Sequence, residues 1–438
     1  MPGAYGAASL GPPRRMSHDP LRLLPGVELL GQVEGSGLRE APYYVRRVDG
    51  EVVQLSRLLY VLAEHARPGR SLEEIGHAAG AELALRVRPD QVHYVLEQKL
   101  HPLGLVAGPD GAAPKLERLD PLLALKFRVG VVGPRVVRAV ARPLTALFRA
   151  PVIALVVCAL LAFDGWLVGV HGIGHGLSHV IEHPTLMLML LAVTYVSLAF
   201  HECGHAAGCL RGGAQPGAIG VGVYLVWPVL YTDVTDSYRL GKRGRLRTDL
   251  GGVYFNCIFA LGLAVAYLIW GFEPLLLAVV GQHLIVLDQF MPWVRLDGYY
   301  VVADLIGVSD LFARIKPVLR GLVPGRPLDP RVSELKGWAR AAVTAWVLTT
   351  VSILIAMTAV VAVHAPAYLS RAWASLVAQS EAVGHAVAGG DVAAVAAGSL
   401  GGLFLLLPAL GFLLVYVLLC RRLGVGLAVS RTRATVTR

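Results

Sequence analysis

Long apolar segments with few charges are the feature that most constrains what this chain of 438 residues can fold into. A helix needs about 20 mostly apolar residues to cross the roughly 30 Å hydrocarbon core of a bilayer. Six segments meet this condition, at residues 151–170, 184–209, 251–270, 274–293, 341–363 and 399–420. Only 16% of all residues are charged, against roughly 25% in average soluble domains. The sequence therefore predicts a mainly α, polytopic membrane protein with about six transmembrane helices.

The positions of lysine and arginine predict how these segments cross the membrane. If the N-terminus is cytoplasmic, the outer loops contain one Lys or Arg, Arg371, and the inner segments after residue 150 contain nineteen. Cytoplasmic loops are enriched in Lys and Arg, so both termini are predicted to be cytoplasmic. The net charge of +10 is then a topology signal. Residues 214–234 are apolar, contain Gly and Pro, and have both ends on the inner side, which predicts a re-entrant or edge-strand element lining a cavity.

The N-terminal region predicts a small soluble domain. Residues 1–19 lack the apolar core of a secretory signal peptide and are expected to be flexible. Within residues 20–107, Asp49 and Gly50 form a favoured hairpin turn, and three helical patterns and a short strand follow. This order predicts a winged-helix-like α+β domain. Residues 43–107 contain eight Lys/Arg and eight Asp/Glu, so we expect no nucleic-acid partner, because nucleic-acid-binding modules carry a basic surface.

Residues 108–150 are predicted to connect this domain to the membrane. They begin with a linker rich in Gly, Pro and Ala, and continue with a stretch in which arginines alternate with apolar residues. Such a composition is typical of a helix that lies on an anionic membrane surface. A cytoplasmic connector fits the same stretch equally well.

The motif His201-Glu202-Cys203-Gly204-His205 is an HExxH sequence inside the second apolar segment. On a helix, residues four apart share one face, so the two imidazoles can bind one zinc ion. Glu202 lies beside that face and can take a proton from water that the zinc activates. Charged groups inside a membrane span are costly and usually functional, which favours a metal site over histidines that only pack in a core. The five cysteines form no CxxC pair, so neither a disulfide framework nor a cysteine zinc site is predicted.

A third ligand must come from a distant part of the chain. Arg211 occupies the position at which an extended HExxHxxGxxH motif would have histidine. Asp297 lies just past the inner end of the fourth apolar segment, at the same predicted depth as the HExxH motif. Asp288, together with His283, is a rival that lies deeper in that segment. We expect Asp297 to complete the site for one Zn²⁺ ion.

Four further histidines recur at a spacing of four in the first outer loop, at His171, His175, His179 and His183. A helix would align them as a second metal-binding face, but the glycines between them disfavour a helix. A solvated loop is the favoured interpretation.

The chain resembles a known family in residues 200–205, 228–236, 252–256 and 292–304. HExxH within a membrane helix, an intervening Gly-x-x-x-Asn and a later Asp-Gly are marks of site-2-protease-like intramembrane zinc metalloproteases, in particular their bacterial peptide zinc metalloprotease branch. The resemblance implies that His201, His205 and Asp297 bind zinc and that Glu202 is the general base. It implies that Asn256 hydrogen-bonds the substrate backbone or the developing oxyanion.

This resemblance places an intramembrane metalloprotease core at residues 151–310. Additional transmembrane helices and a basic cytoplasmic tail are expected at residues 311–438. The localisation that it implies is a bacterial inner membrane, which the protein crosses several times, with the active site near the cytoplasmic face.

The N-terminal domain is similar to the PqqD-like recognition domains of pathways that make peptide natural products on the ribosome. The similarity lies in the hairpin at residues 43–55, the helix start at Ser71 and Glu74, and the ending at residues 100–105. It implies that a leader peptide adds as a strand to the small sheet. The expected partners are therefore a precursor or leader peptide and membrane lipid.

Together these features predict an intramembrane zinc endopeptidase that removes a leader or propeptide from a ribosomally made peptide. Two alternatives remain at this stage. One is regulated proteolysis of a membrane-anchored regulator, and the other is a non-catalytic scaffold, exporter or immunity component that binds a peptide.

Overall fold

The computed structural model describes residues 22–33, 35–108, 126–172, 184–224, 227–403, 406–407 and 410–411. These residues divide into two compact units. The first contains residues 22–33 and 42–108, and the second contains residues 35–41 and the described residues from 126 onwards. The predicted flexible N-terminus, most of the linker, most of the sixth apolar segment and the basic tail lie outside the described residues.

The first unit is a three-stranded antiparallel sheet followed by three helices. The strands β1 (Glu28–Gln32), β2 (Tyr43–Arg46) and β3 (Val52–Leu55) lie side by side in that order. The helices are α1 (Arg57–His65), α2 (Leu72–Leu83) and α3 (Pro89–Val95). Fully buried side chains from the sheet and from every helix form one core, among them Val45, Leu62, Ile75 and Val92. The capping box predicted at Ser71 starts α2.

The sheet of this unit differs from the sequence prediction in three places. Strand β1 was not predicted, because a bulge between Leu29 and Gly31 interrupts its alternation. The loop between β2 and β3 spans residues 47–51 and not two residues, because the Arg47 guanidinium binds the Asp49 carboxylate within it. The predicted final strand is reduced to an isolated bridge between Leu23 and Val106.

The second unit is mainly helical. In chain order its α-helices are α4 (Pro134–Leu144), α5 (Ala150–Trp166), α6 (Pro184–Gly212), α7 (Lys242–Trp270), α8 (Pro274–Gln289), α9 (Asp297–Ile306), α10 (Ile315–Gly321), α11 (Pro330–Ser333), α12 (Gly337–Gly389) and α13 (Val392–Leu403). Four stretches are long and apolar enough to cross a membrane, namely Ala150–His171, Leu186–Gly212, Lys242–Trp270 and Gly337–Val360. The chain therefore has the composition of a membrane protein in these four helices.

Two of the six predicted spans, the fourth and the sixth, are not among these four helices. The fourth predicted segment forms α8, an apolar helix of only 16 residues, which is about 24 Å long at 1.5 Å per residue. The sixth lies mostly outside the described residues. Helix α12 also continues to Gly389, so residues 364–389, which the topology prediction treats as part of an outer loop, are helical.

A second three-stranded antiparallel sheet lies in this unit. Its strands β4 (Lys126–Val132), β5 (Ile219–Tyr224) and β6 (Trp227–Thr232) lie in the order β4-β5-β6. The element predicted at residues 214–234 is thus a hairpin, and its second strand lies at a sheet edge. The arginine-rich stretch begins as strand β4 before it becomes α4, whose Val137 and Ala141 are buried in a cluster with residues of α6.

Residues 35–41 belong to the second unit although they precede β2 in the sequence. The Gly37 N–H donates to the Gly307 oxygen (3.0 Å), and the Arg39 N–H donates to the Glu334 oxygen (2.8 Å). A Cβ at residue 37 would lie 2.4 Å from the Ile306 oxygen, so only glycine permits this approach. The segment therefore holds the C-terminal end of α9.

Candidate metal centre

Helix α6 carries His201, Glu202 and His205 on two of its last turns, and all three side chains are buried. The four-residue spacing puts both imidazoles on the face that packs against α7. The ring Nε2 atoms of the two histidines converge to 3.0 Å. Two imidazole nitrogens at this distance repel each other when both present lone pairs, so the pair is suited to hold a cation between them.

Close glycine contacts bring α6 and α7 together at this level. A Cβ on Gly204 would lie 2.3 Å from the Gly251 oxygen, and a Cβ on Gly251 would lie 2.4 Å from the Gly204 oxygen. One turn further, a Cβ on Gly208 would lie 2.7 Å from the Arg247 oxygen. Small residues four apart allow two helix backbones to approach in this way. The second variable position of the HExxH motif is therefore glycine because the α7 backbone occupies the space of a side chain.

Gly252 leaves the space that an ion at the two histidines would need. A Cβ on residue 252 would lie 2.4 Å from Nε2 of His201 and 2.5 Å from Nε2 of His205. The space for an ion therefore exists because residue 252 has no Cβ.

Asp297 is the third member of the group. Its Oδ2 lies 3.3 Å from Nε2 of His201 and 3.3 Å from Nε2 of His205. Among the residues that the structure describes, these three alone form a group of at least three His, Cys, Asp or Glu residues that could hold a metal ion, with ligand atoms within 4.8 Å of one another. Burial alone would raise the pKa of the Asp297 carboxyl, but the charge of His205 and the neighbouring His201 hold it below its usual range.

The backbone before α9 explains how Asp297 reaches this position. A Cβ on Gly298 would lie 2.4 Å from the Phe290 oxygen, so the glycine after Asp297 lets the chain fold back onto the end of α8. The Trp346 indole N–H donates to the Pro292 oxygen (3.0 Å), and the Arg295 guanidinium lies 5.2 Å from the Tyr299 ring centroid. These contacts fix the turn from which the carboxylate extends.

The second nitrogens of the two histidines have different surroundings. Nδ1 of His205 lies 2.8 Å from the Thr248 oxygen, and because a carbonyl only accepts, Nδ1 carries a proton, which leaves Nε2 as the atom that can bind an ion when the ring is neutral. Nδ1 of His201 is buried and has no hydrogen-bond partner among the described residues. His205 is therefore the more firmly oriented of the two rings.

A buried ion pair connects α7 to α9, two turns of α9 away from Asp297. The guanidinium of Arg245 binds both carboxylate oxygens of Asp304, with Nε at 3.1 Å from Oδ1 and 3.0 Å from Oδ2. Asp304 lies two turns from Asp297 on α9, so this pair sets the register that brings Asp297 to the histidines.

Glu202 is held by strand β6. Thr232 is the last residue of that strand, and its Oγ1 lies 2.7 Å from Oε2 of Glu202 and 3.0 Å from the Glu202 backbone oxygen. The hydroxyl donates to the carboxylate and limits its rotation. A hydrogen bond to a charged group is stronger than one between neutral groups, so the Glu202 carboxylate is fixed next to the histidines.

Asn256 lies one helical turn beyond Gly252 on α7, in a buried polar cluster. The Ser197 hydroxyl lies 2.5 Å from Oε1 of Gln282 and 3.4 Å from Oδ1 of Asn256. Nδ2 of Asn256 is buried and has no hydrogen-bond partner among the described residues. Because Ser197 lies one turn before His201 on α6, the cluster lies one helical turn away from the two histidines.

The other candidate residues lie away from this group. Nε2 of His283 lies 3.0 Å from Oδ2 of Asp164, on α5, and Asp288 is not part of the metal group that the described residues form. Of the spaced histidines, only His171 is described, and its Nε2 lies 2.9 Å from the Tyr267 hydroxyl. His175, His179 and His183 lie outside the described residues.

Sequence reasoning missed the roles of five residues at this site, Gly204, Gly208, Gly252, Thr232 and Thr248. The Gly204–Gly208 spacing is visible in the sequence as a small-x-x-x-small pattern. Gly252 falls within the Gly-x-x-x-Asn motif, but that it leaves space for an ion beside the histidines is visible only once α6 and α7 are seen to cross at this point. Thr232 and Thr248 carry no signal of their own, because their roles arise only from contacts with residues 30 and 43 positions away.

Comparisons of the chain with protein-family models, with curated proteins and with solved structures found no match.

Proposed function

We propose that this protein is an intramembrane zinc endopeptidase that removes a leader or propeptide from a ribosomally made peptide. The observation that carries the proposal is the convergence of His201, His205 and Asp297 beside the buried carboxylate of Glu202. Two imidazoles, one carboxylate and an adjacent glutamate are the donor set and the base of hydrolytic zinc sites.

The spacing of the three ligand atoms favours zinc. Tetrahedral zinc with bonds of about 2.0–2.1 Å separates its ligand atoms by about 3.3 Å. The distances of 3.0, 3.3 and 3.3 Å within the group fit this requirement. Three protein ligands leave a fourth position for water or substrate, as hydrolytic zinc sites require.

In this proposal the residues of the chain divide the chemistry among themselves. When bound, zinc polarises the scissile carbonyl and lowers the pKa of a water molecule from 15.7 to about 7. Glu202 accepts the proton of the attacking water at its carboxylate and returns it to the leaving amine. Thr232 keeps that carboxylate in place, and the unpaired Nδ2 of Asn256 is available to donate to the substrate backbone or to the developing oxyanion.

The substrate would bind as an added strand at β6. Strand β5 is paired on both sides, so an extended peptide cannot add to it, whereas β6 is an edge strand that ends at Thr232, beside Glu202. Main-chain hydrogen bonds to an edge strand give affinity for a peptide without requiring a particular peptide sequence. Val229→Pro and Leu230→Pro remove successive N–H groups, which point to opposite sides of the strand. One of the two variants should lose cleavage and keep the fold, and unchanged cleavage in both would contradict this binding mode.

The membrane arrangement in this proposal has six spans in a bacterial inner membrane. Four apolar helices of spanning length support it, and the excess of Lys and Arg on one side favours cytoplasmic termini. The short α8 would cross as the fourth span, and residues 399–420 as the sixth. His201 and Asp297 then lie near the cytoplasmic face, where a cytosolic precursor can reach them.

The first unit would recognise the precursor in the manner of a PqqD-like, winged-helix-like domain. Its small sheet has β3 at one edge, and within the described residues no strand pairs with the outer side of β3. A leader peptide could add there by the same main-chain pairing. The equal numbers of basic and acidic residues at 43–107 favour a peptide over nucleic acid as the partner.

The decisive test uses the full-length protein in membranes together with candidate precursors, namely the products of any short reading frames that neighbour its gene. The wild-type protein should shorten the precursor at one bond, as seen by mass spectrometry. Glu202→Gln should bind zinc and cut no detectable precursor, and Glu273→Gln, which changes a glutamate outside the site, should cut normally. Full processing by Glu202→Gln would contradict the proposal, and would favour a scaffold that binds a peptide without cutting it.

A further inference from the structure

A groove of about 460 Å³ lies between the start of α12 and the segment that contains α10 and α11. Val318, Leu322 and Leu328 line one side, and Ala341, Ala345 and Leu348 line the other. Leu322, Leu328 and Leu348 are between 43% and 53% exposed, so the groove presents apolar surface that no described residue covers. None of these residues belongs to the metal group or to the elements around Glu202.

The only charged side chain in the lining is Arg340, which is half-buried. Its guanidinium has no ion-pair or side-chain hydrogen-bond partner among the residues that the structure describes. A cation that is partly withdrawn from water costs free energy unless an anion compensates it. The groove therefore combines an apolar surface with one uncompensated positive charge.

The dimensions of the groove match one leaflet of a bilayer. From Gly337 to Leu348 the lining follows the first part of a membrane-spanning stretch, a length of about 16 Å at 1.5 Å per residue. Half of the roughly 30 Å hydrocarbon core is about 15 Å. Arg340 lies near the end of the stretch that begins at Gly337, and Trp338, which is 53% exposed, is at the same level. Trp and Arg at that level are typical of the membrane interface.

We propose that this groove binds one anionic phospholipid, with an acyl chain along Ala341, Ala345 and Leu348 and the phosphate on Arg340. The charge of the site selects the headgroup, and the apolar walls hold the chain. The basic C-terminal residues, with arginines at 421 and 422, are a less suitable occupant because they would bring further positive charge to Arg340. The proposal goes beyond the peptidase activity and requires only that α12 crosses a membrane.

The test is a lipid titration of the purified full-length protein by native mass spectrometry after delipidation. Phosphatidylglycerol and phosphatidylcholine with the same acyl chains are compared. The wild-type protein should bind one phosphatidylglycerol saturably, about tenfold more tightly than phosphatidylcholine, because the choline cation of phosphatidylcholine offsets the attraction between its phosphate and Arg340. Arg340→Gln should remove the preference. Arg326→Gln, an exposed arginine outside the groove, is the matched control and should keep it.

A second variant tests the apolar part. Ala345 is exposed and lines the groove, so Ala345→Trp should fill the space without disturbing the core, and should abolish saturable binding of both lipids. Saturable binding that ignores headgroup charge, a preference that survives Arg340→Gln, or unchanged binding by Ala345→Trp would each overturn the proposal. Zinc content and cleavage are measured on the same samples, so a failure of the lipid site is distinguishable from a failure of the peptidase.

Discussion

Gly252 lies directly against His201, because a Cβ on residue 252 would be only 2.4 Å from the histidine Nε2. The same Cβ would lie 2.5 Å from Nε2 of His205. The position that a methyl group would take is therefore the position in which an ion between the two histidines would be held. The metal group depends on a residue that has no side chain and donates nothing to the ion.

Gly252→Ala should lower zinc affinity by at least the roughly 10- to 100-fold that substitutions around metal ligands cost. Alanine is a better helix former than glycine, so the loss should not come from unfolding of α7. Gly262→Ala is the matched control, because a Cβ there would meet nothing within 4 Å. Zinc per chain after dialysis against a graded chelator measures both variants, and equal retention by the two would refute the role of Gly252.

Thr232→Val should reduce turnover of the precursor by roughly 10- to 100-fold, since the Glu202 carboxylate loses a hydrogen bond to a charged group. Zinc content should stay at the wild-type level, because Thr232 contacts Glu202 and not the metal group. Thr232→Ser retains the hydroxyl and should restore most of the rate. Wild-type kcat in Thr232→Val would show that the carboxylate needs no support from β6.

Arg245→Leu should destabilise the protein by about 3–5 kcal/mol, because it leaves the Asp304 carboxylate buried without its cation. It should also lower zinc retention, since α9 loses the contact that sets the register of Asp297. The double variant Arg245→Leu with Asp304→Leu removes both charges and should recover much of the stability. Arg243→Leu, at an exposed position of the same helix, is the control. Thermal unfolding and zinc content are measured together, and independent effects of the two single changes would contradict the coupling.

The hairpin of the first unit should loosen in acid. The hydrogen bond from Arg47 holds the pKa of Asp49 below its ordinary value of 3.8. A carboxyl whose pKa is lower in the folded state stabilises that state fully above the unfolded value, and this contribution is lost as the pH falls through the folded value. Hydrogen-exchange protection of residues 50–53 should therefore drop below about pH 4 in the wild-type protein. At every pH, Asp49→Asn should show the protection that the wild-type protein shows in acid. An acid transition like that of the wild type in this variant would argue against the assignment.

Local spacing predicted much of the metal group. The HExxH spacing predicts that both imidazoles share one face of a helix, and the structure places them with Nε2 atoms 3.0 Å apart. The predicted depths of the helix ends along a common membrane normal favour Asp297 over Asp288. The structure brings Asp297 to the histidines, across more than 90 residues of sequence, because the lengths of α7 and α8 return the chain to the same side.

Contacts between distant residues limited the remaining predictions. Strand β4 pairs with β5, about 90 residues later, and it lies in a longer stretch whose repeated arginines, most of them after the strand, indicate a helix instead. The roles of Gly252 and Gly204 follow from the point at which two helices cross, which no periodicity in either helix specifies. Helix α12 continues past the predicted span to Gly389, although it contains Pro366, a residue type that usually ends or kinks a helix, so local sequence signals favour the shorter helix.

The most direct test of the account is the metal content of the purified full-length protein, combined with X-ray absorption spectroscopy of its ligands. The account predicts one zinc ion per chain with two imidazole nitrogens and one carboxylate oxygen, lost in Asp297→Ala and kept in Asp288→Ala. Wild-type protein that holds no zinc, or zinc that is unaffected by Asp297→Ala, would contradict it.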